Sequence, residues 1–280
     1  MINIVTDSTC DIERGMWKKL GITVVPLTVN FGGRIYKDGY DLSHREFYEK
    51  LEKASVLPKT SQVNSGEFEL VFEDAVKDGG EVVGIFISSE LSGTLQSAQI
   101  AANEVCPERI YIVDSRVASF QLGILVMEAV KMRDSGDFTA SEIAKTLQKL
   151  ALRMRIFAVV DTLKYLKMGG RISQGAAVIG GMLGITPLMQ VYEGKIEAIG
   201  KVRGERAGFQ ALLAQMKKYP PDFRFPVGFG HSNDQGRMER AIEFFKTYTG
   251  DTPVYTGWIG SVIGTHTGPG VIAVGYVMKE

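Results

Sequence analysis

Through the first half of the chain, short apolar runs alternate with stretches whose apolar residues recur at helical spacing. Ile2 to Thr6, Val82 to Ile87 and Ile110 to Val113 are runs of strand length, and they stop at Asp7-Ser8, Ser88-Ser89 and Asp114-Ser115. Ile22 to Phe31, rich in β-branched residues and closed by Gly32-Gly33, reads as one further strand. Ser43 and Glu46 form a capping box, with Leu42 and Phe47 placed as a hydrophobic staple, so a helix starts there. A second helix starts near Asn64 to Glu67, presents Phe68, Val71, Phe72 and Ala75 on one face and stops at Gly79-Gly80. Thr139 and Glu142 form another capping box ahead of Ile143, Leu147, Leu150 and Met154. Apolar strands separated by helices predict a parallel sheet covered on both faces. The fold class is therefore α/β, with an N-terminal doubly wound, Rossmann-like domain over residues 1–155.

The second half changes character. Phe157 to Val160 reads as a strand, followed by a short helix to Met168 that Gly169-Gly170 ends. Leu188 to Tyr192 and Lys195 to Ile199 flank Glu193-Gly194 as a hairpin. Helices follow over Arg206 to Tyr219 and Arg237 to Tyr248, with strands at Val227 to Gly230, Val254 to Ile259 and Val271 to Met278. Hairpins mixed with helices predict an α+β domain with a mixed sheet over residues 156–280.

Composition narrows the function classes. The 32 basic and 32 acidic residues cancel, and a nucleic-acid protein usually carries a basic excess. Two cysteines, Cys10 and Cys106, cannot staple 280 residues and read as free thiols of a reducing compartment. Met1-Ile2-Asn3-Ile4 has no basic n-region, and the apolar run from Gly175 to Thr186 is too short to cross a bilayer, so a cytoplasmic location is expected. Three scattered histidines lack metal-ligand spacing, and neither a G-x-G-x-x-G, a G-x-x-x-x-G-K-[ST] nor a G-x-S-x-G occurs. No metal or cofactor is expected.

Candidate chemistry gathers at predicted strand ends, where parallel sheets bind ligands. Ser88-Ser89-Glu90-Leu91-Ser92-Gly93-Thr94 lies between a strand and a helix. It would offer hydroxyls and free N–H groups to an anion, or simply cap the helix. Thr60-Ser61-Gln62 is a second set of donors on what reads as a loop, or a plain turn. In Gly264-Thr265-His266-Thr267-Gly268-Pro269-Gly270, three glycines and a proline fix a tight loop around one histidine. That histidine either bonds a carbonyl or donates to an anion. Arg171 follows a helix stop, and Lys201, Arg203 and Arg206 form a basic group that is either solvated or a docking face for an acidic partner. Ile179, Met182, Leu183 and Ile185 belong to a glycine-interrupted apolar helix, which either lines a long pocket or is core.

In this order the motifs resemble the DegV family of bacterial fatty-acid-binding proteins. The matching pieces are Asp7-Ser8-Thr9-Cys10-Asp11, Thr60-Ser61-Gln62, Ile87 to Thr94 and Val113-Asp114-Ser115. Asp161 to Leu166 running into Gly169-Gly170-Arg171, and Ile263 to Gly270, complete the set. The resemblance implies a two-domain α/β fold with a long-chain fatty acid, such as palmitate, stearate or oleate, between the domains. It implies a carboxylate held by Thr60, Ser61, Ser92, Gly93 and His266, supported by Ser88, Arg171, Thr265 and Thr267. It implies a carrier that is not itself an enzyme, presenting its ligand to a separate fatty acid kinase for acyl phosphate and phospholipid synthesis, with transient membrane contact allowed. The family more often has Pro after Gln, where this chain has Val63. Three other readings stay open: a hydrolase using Ser92 and His266 with Asp7 or Asp114, the substrate subunit of a dihydroxyacetone-kinase-like phosphotransfer system, and an interaction module with no ligand.

Overall fold

The computed structural model describes residues 1–172 and 185–280. In chain order the first elements are β1 (Ile2–Asp7), a 3₁₀ turn (Ser8–Cys10), α1 (Arg14–Leu20), β2 (Ile22–Val25), β3 (Thr28–Phe31), β4 (Arg34–Lys37), α2 (His44–Lys53), β5 (Lys59–Ser61) and α3 (Ser65–Val76). Then come β6 (Glu81–Phe86), α4 (Thr94–Val105), β7 (Ile110–Asp114), α5 (Phe120–Ser135) and α6 (Ala140–Arg153). The remainder is β8 (Met154–Val159), α7 (Lys164–Met168), β9 (Thr186–Tyr192), β10 (Lys195–Val202), α8 (Glu205–Lys218), β11 (Val227–His231), α9 (Gln235–Thr249), β12 (Val254–Trp258), α10 (Ser261–Thr267) and β13 (Ile272–Val277).

The fold is mixed α/β. A parallel four-stranded sheet has the order β2-β1-β6-β7. Its strands are apolar on both faces because both are covered. Ile4, Val83 and Ile85 pack with α5 and α6, whereas Val5, Val82 and Phe86 pack with α2, α3 and α4. A mixed six-stranded sheet has the order β10-β9-β8-β13-β11-β12, in which only β11 and β12 run parallel. Along β8 the period of two divides its residues cleanly. Ile156 and Ala158 join the core shared with the parallel sheet, and Phe157 and Val159 join the core under α8 and α9. Among the described residues, no helix is long and apolar enough to cross a membrane.

The capping boxes at Ser43–Glu46 and Thr139–Glu142 form as expected, and Asn64 with Glu67 makes a third. Three expectations need correction. The strand expected over Ile22 to Phe31 is two strands, since Pro26 ends β2 and the chain enters a separate antiparallel sheet, β4-β3-β5. Thr60-Ser61 is not loop but β5, paired at Val29–Thr60 and Thr28–Ser61. The tight loop expected around His266 is the helix α10, which ends at Gly268 with φ +75°. The apolar helix read over Ala176 to Ile185 lies outside the described residues except at its last residue.

Candidate functional site

A cavity of about 350 Å³ lies between the carboxyl edge of the parallel sheet and the inner face of the six-stranded sheet. Its chemistry is divided. The inner-face residues of β8 and β9, Ile156, Ala158, Met189 and Val191, form one wall with Ala273 of β13. Leu27, Ile87, Phe120, Ile259 and Val262 form the facing wall. Ala158 pairs across the sheet with both Ala273 and Met189, so two methyl side chains sit side by side where larger ones would fill the space. Polar groups gather at one end: Thr60, Ser61, Gln62, Ser92, Arg171, His266 and Thr267.

Three segments distant in sequence build that end. Pairing with β3 sets Thr60 opposite α10, and its Oγ1 lies 2.9 Å from His266 Nε2. Burial, reinforced by the Arg171 guanidinium, pushes His266 down to about 4. The imidazole is therefore neutral near pH 7 and carries one N–H. Its Nδ1 is buried and has no partner among the described residues. Gly169 makes room for this ring, since a Cβ there would fall 2.2 Å from Nδ1.

Ser92 lies just before α4. Its Oγ is 2.9 Å from Thr94 Oγ1 and accepts the Thr94 N–H at 3.3 Å. Gly93 is the N-cap of α4 and stands behind the cavity wall, not in it. A Cβ at Gly93 would meet Gln62 Oε1 at 2.2 Å, and Gln62 Nε2 donates to Ser97 Oγ at 3.1 Å. The Gln62 amide thus lies flat on the glycine and closes this side of the polar end. The Gln62 motif was visible in the sequence; the use of its side chain was not. Val63, where the family more often has proline, is fully buried.

The remaining candidates divide. Arg171 lines the mouth, donating to Gly169 O at 2.6 Å and to Leu91 O at 3.4 Å, and Thr267 lines it while bonding back to Ile263 O. Ser88, Thr265 and Ile185 do not line the cavity. Ser88 Oγ donates to Gly194 O at 2.9 Å, fastening the β9–β10 hairpin to the parallel-sheet edge. Thr265 Oγ1 donates to Ser261 O inside α10. Lys201, Arg203 and Arg206 are exposed around the end of β10 and the start of α8, outside the lining. Ile179, Met182 and Leu183 lie outside the described residues. Alanines 158 and 273 on the wall were not singled out by the sequence reading, because an alanine in an apolar strand carries no signal of its own.

The hydrogen bonds of Ser92 and His266 go to Thr94 and Thr60, not to each other. Asp7 accepts from Thr9 and from Ile87 N, and Asp114 from Ser89 and Arg116 N. No Ser–His–Asp relay is assembled among these residues. Asp7 instead ties the end of β1 to the end of β6, and burial raises it to about 6.

A family model described as "Uncharacterised protein, DegV family" matches residues 1–279. A DegV domain-containing protein of Caldanaerobacter subterraneus is 37% identical over 279 residues, covering 99% of both chains. Among solved structures, one reporting fatty acid binding of a DegV family protein from Thermus thermophilus superposes with a TM-score of 0.87 at 31% identity, covering 99% of both chains. A stearic acid-binding protein from Eubacterium ventriosum superposes with a TM-score of 0.89 at 30% identity, covering 100% of this chain and 98% of the other. By sequence over nearly its whole length, and by fold, this chain belongs to the DegV family.

Proposed function

We propose that the protein binds one long-chain fatty acid between lobes formed by residues 1–155 and 156–280, with the carboxylate at the Thr60–Ser92–His266 end and the tail in the apolar chamber. The observation that carries this reading is the division of a single cavity into a hydroxyl and imidazole end and a remainder that is apolar apart from Ser119 and Gln190. A fatty acid has the same division. Its tail supplies most of the affinity, on the order of 10 kcal/mol for about 15 methylenes at about 0.8 kcal/mol each. The head supplies orientation, because a desolvated carboxylate must be met by donors. Thr60 Oγ1, held by His266, and Ser92 Oγ are those donors, and Ser61 and Thr267 flank them. The likeness to structures described as fatty-acid-binding and stearic acid-binding supports the same ligand class.

The reading extends to a carrier that offers its ligand to a separate fatty acid kinase in the cytoplasm, for acyl phosphate and phospholipid synthesis. Arg171 at the mouth would face the added phosphate. The exposed Lys201, Arg203 and Arg206 would meet an acidic face of the kinase. The test is to purify the protein without added lipid, denature it, extract it with organic solvent and identify the extract by mass spectrometry. A near-stoichiometric long-chain fatty acid supports the reading. A clean extract from folded protein, with no binding of added palmitate or oleate, refutes it.

A further inference from the structure

Two carboxyl groups outside the cavity lining, Asp11 and Asp38, hold the helix that carries His266. Gly260 caps α10, and its N–H donates to Asp11 Oδ2 at 2.9 Å. The same oxygen accepts Ser119 Oγ at 2.5 Å. One residue on, Ser261 Oγ donates to Asp38 Oδ1. One residue before, Ile259 O accepts Tyr48 Oη at 2.7 Å. Three consecutive α10-entry residues are thus bonded to three side chains from the first 48 residues, all of them buried. The fit is close as well as bonded. A Cβ at Gly260 would fall 2.1 Å from Asp11 Oδ1, and one at Gly264 2.6 Å from Tyr48 Oη.

We propose that Asp11 and Asp38 are positioning residues for His266: by docking the N-terminus of α10 they set the imidazole at bonding distance from Thr60. The proposal rests on the fatty-acid reading of the site. Burial raises both carboxyls above their ordinary range, Asp11 well above it. Burying a carboxyl costs free energy unless donors meet it, and well-packed apolar residues would serve packing alone. What they supply here is a fixed register. His266 lies five residues beyond Ser261 on a seven-residue helix. A slip of one residue, about 1.5 Å along the axis, would break a 2.9 Å bond to Thr60.

The test compares Asp11→Ala, Asp11→Asn and Ser261→Ala with the unaltered protein. It reads the ratio of affinities for a long-chain fatty acid and the alcohol of equal chain length, and the imidazole NMR signals of His266. Asp11→Ala is expected to lower the acid-to-alcohol ratio about ten-fold with alcohol affinity kept, the range of one lost bond to a charged group. Asp11→Asn, whose amide oxygen still accepts, is expected to restore the ratio, and Ser261→Ala to show a smaller loss. A folded Asp11→Ala protein with a ratio within about two-fold of the original, or with equal loss for acid and alcohol, overturns the proposal. Should Asp11→Ala fail to fold, Ser261→Ala decides by the same criterion. If the unaltered protein binds neither ligand, the fatty-acid reading fails by itself. The positioning claim then stands or falls on whether the His266 signals shift in the variants.

Discussion

The Ser92 hydroxyl lies 2.9 Å from Thr94 Oγ1, which leaves it an oriented donor and acceptor at the head of α4. Replacing it with alanine should weaken fatty acid binding by about 1.5–3 kcal/mol, the worth of a bond to a charged group, and should barely change binding of the matching alcohol. Calorimetry with both ligands checks this; an equal loss for both would assign Ser92 to the fold and not to the head group. His266 adds a pH signature. Its pKa is about 4 in the fold against 6.5 unfolded, so as pH falls the unfolded chain takes the proton first. The stability this neutral ring contributes is whole above about 6.5 and lost by about 4, amounting to about 3 kcal/mol. Asp7, raised to about 6, works in the opposite direction over an overlapping range. The measurement is therefore the difference in urea-unfolding free energy between the protein and His266→Asn, which should shrink toward pH 4 while the Asp7 contribution cancels. At this scale the place of Thr60, Ser92 and His266 in the cavity lining agrees with what the sequence singled out, because strand-end hydroxyls and a histidine among glycines stand out. Gln62, Asp11 and Asp38 were not, because their roles depend on residues more than 30 positions away.

At the scale of elements, what the sequence revealed depended on whether an element's environment was local. The three capping boxes close within four residues each, and all are present. Helix α5 escaped the reading because Phe120 to Val126 are buried on every side between the two sheets, which erases the amphipathic period. Phe120 lies against Gly228, Gly230 and Gly275, where a Cβ would come within 2.4 to 3.1 Å of the ring or of Gln121. Those glycines lie inside strands that the sequence already showed, but nothing in the sequence marked them as the seat of α5. Helix α10 was misread for the related reason that Gly264 marks close packing, not a bend. Gly264→Ala places a Cβ 2.6 Å from Tyr48 Oη and 2.7 Å from Phe47 Cε1, both in rigid rings. The expected cost is about 1–3 kcal/mol from overpacking, with a lower Tm and a weakened acid-to-alcohol preference as α10 lifts. A Tm equal to the original would show that α2 yields instead.

Across the whole molecule, one apolar core runs from the parallel sheet through α5 to the six-stranded sheet, and the cavity interrupts it. The fold class was legible because apolar runs and helical periods alternate. The cavity was not, because it exists only where inner-face positions of β8, β9 and β13 oppose the residues that follow β2, β6 and β7. Ala158 and Ala273, neighbours across β8 and β13, make the chamber's narrowest claim on space. Ala158→Leu would add three carbons to the wall and take up part of the space that the tail would fill. Ala158 is already 9% exposed on its inward side, so the longer side chain can enter the chamber without displacing the Phe157 layer behind it. The variant should therefore fold and keep its preference for acid over alcohol, since the polar end is untouched. Its extracted or bound fatty acids should shift by two or more carbons toward shorter chains, with affinity for the longest chains falling by about 0.8 kcal/mol per displaced methylene. Mass spectrometry of lipids from the two proteins, expressed side by side, reads the shift. Identical chain profiles would mean that the tail does not run along this wall and turns instead toward Leu27 and Ile87.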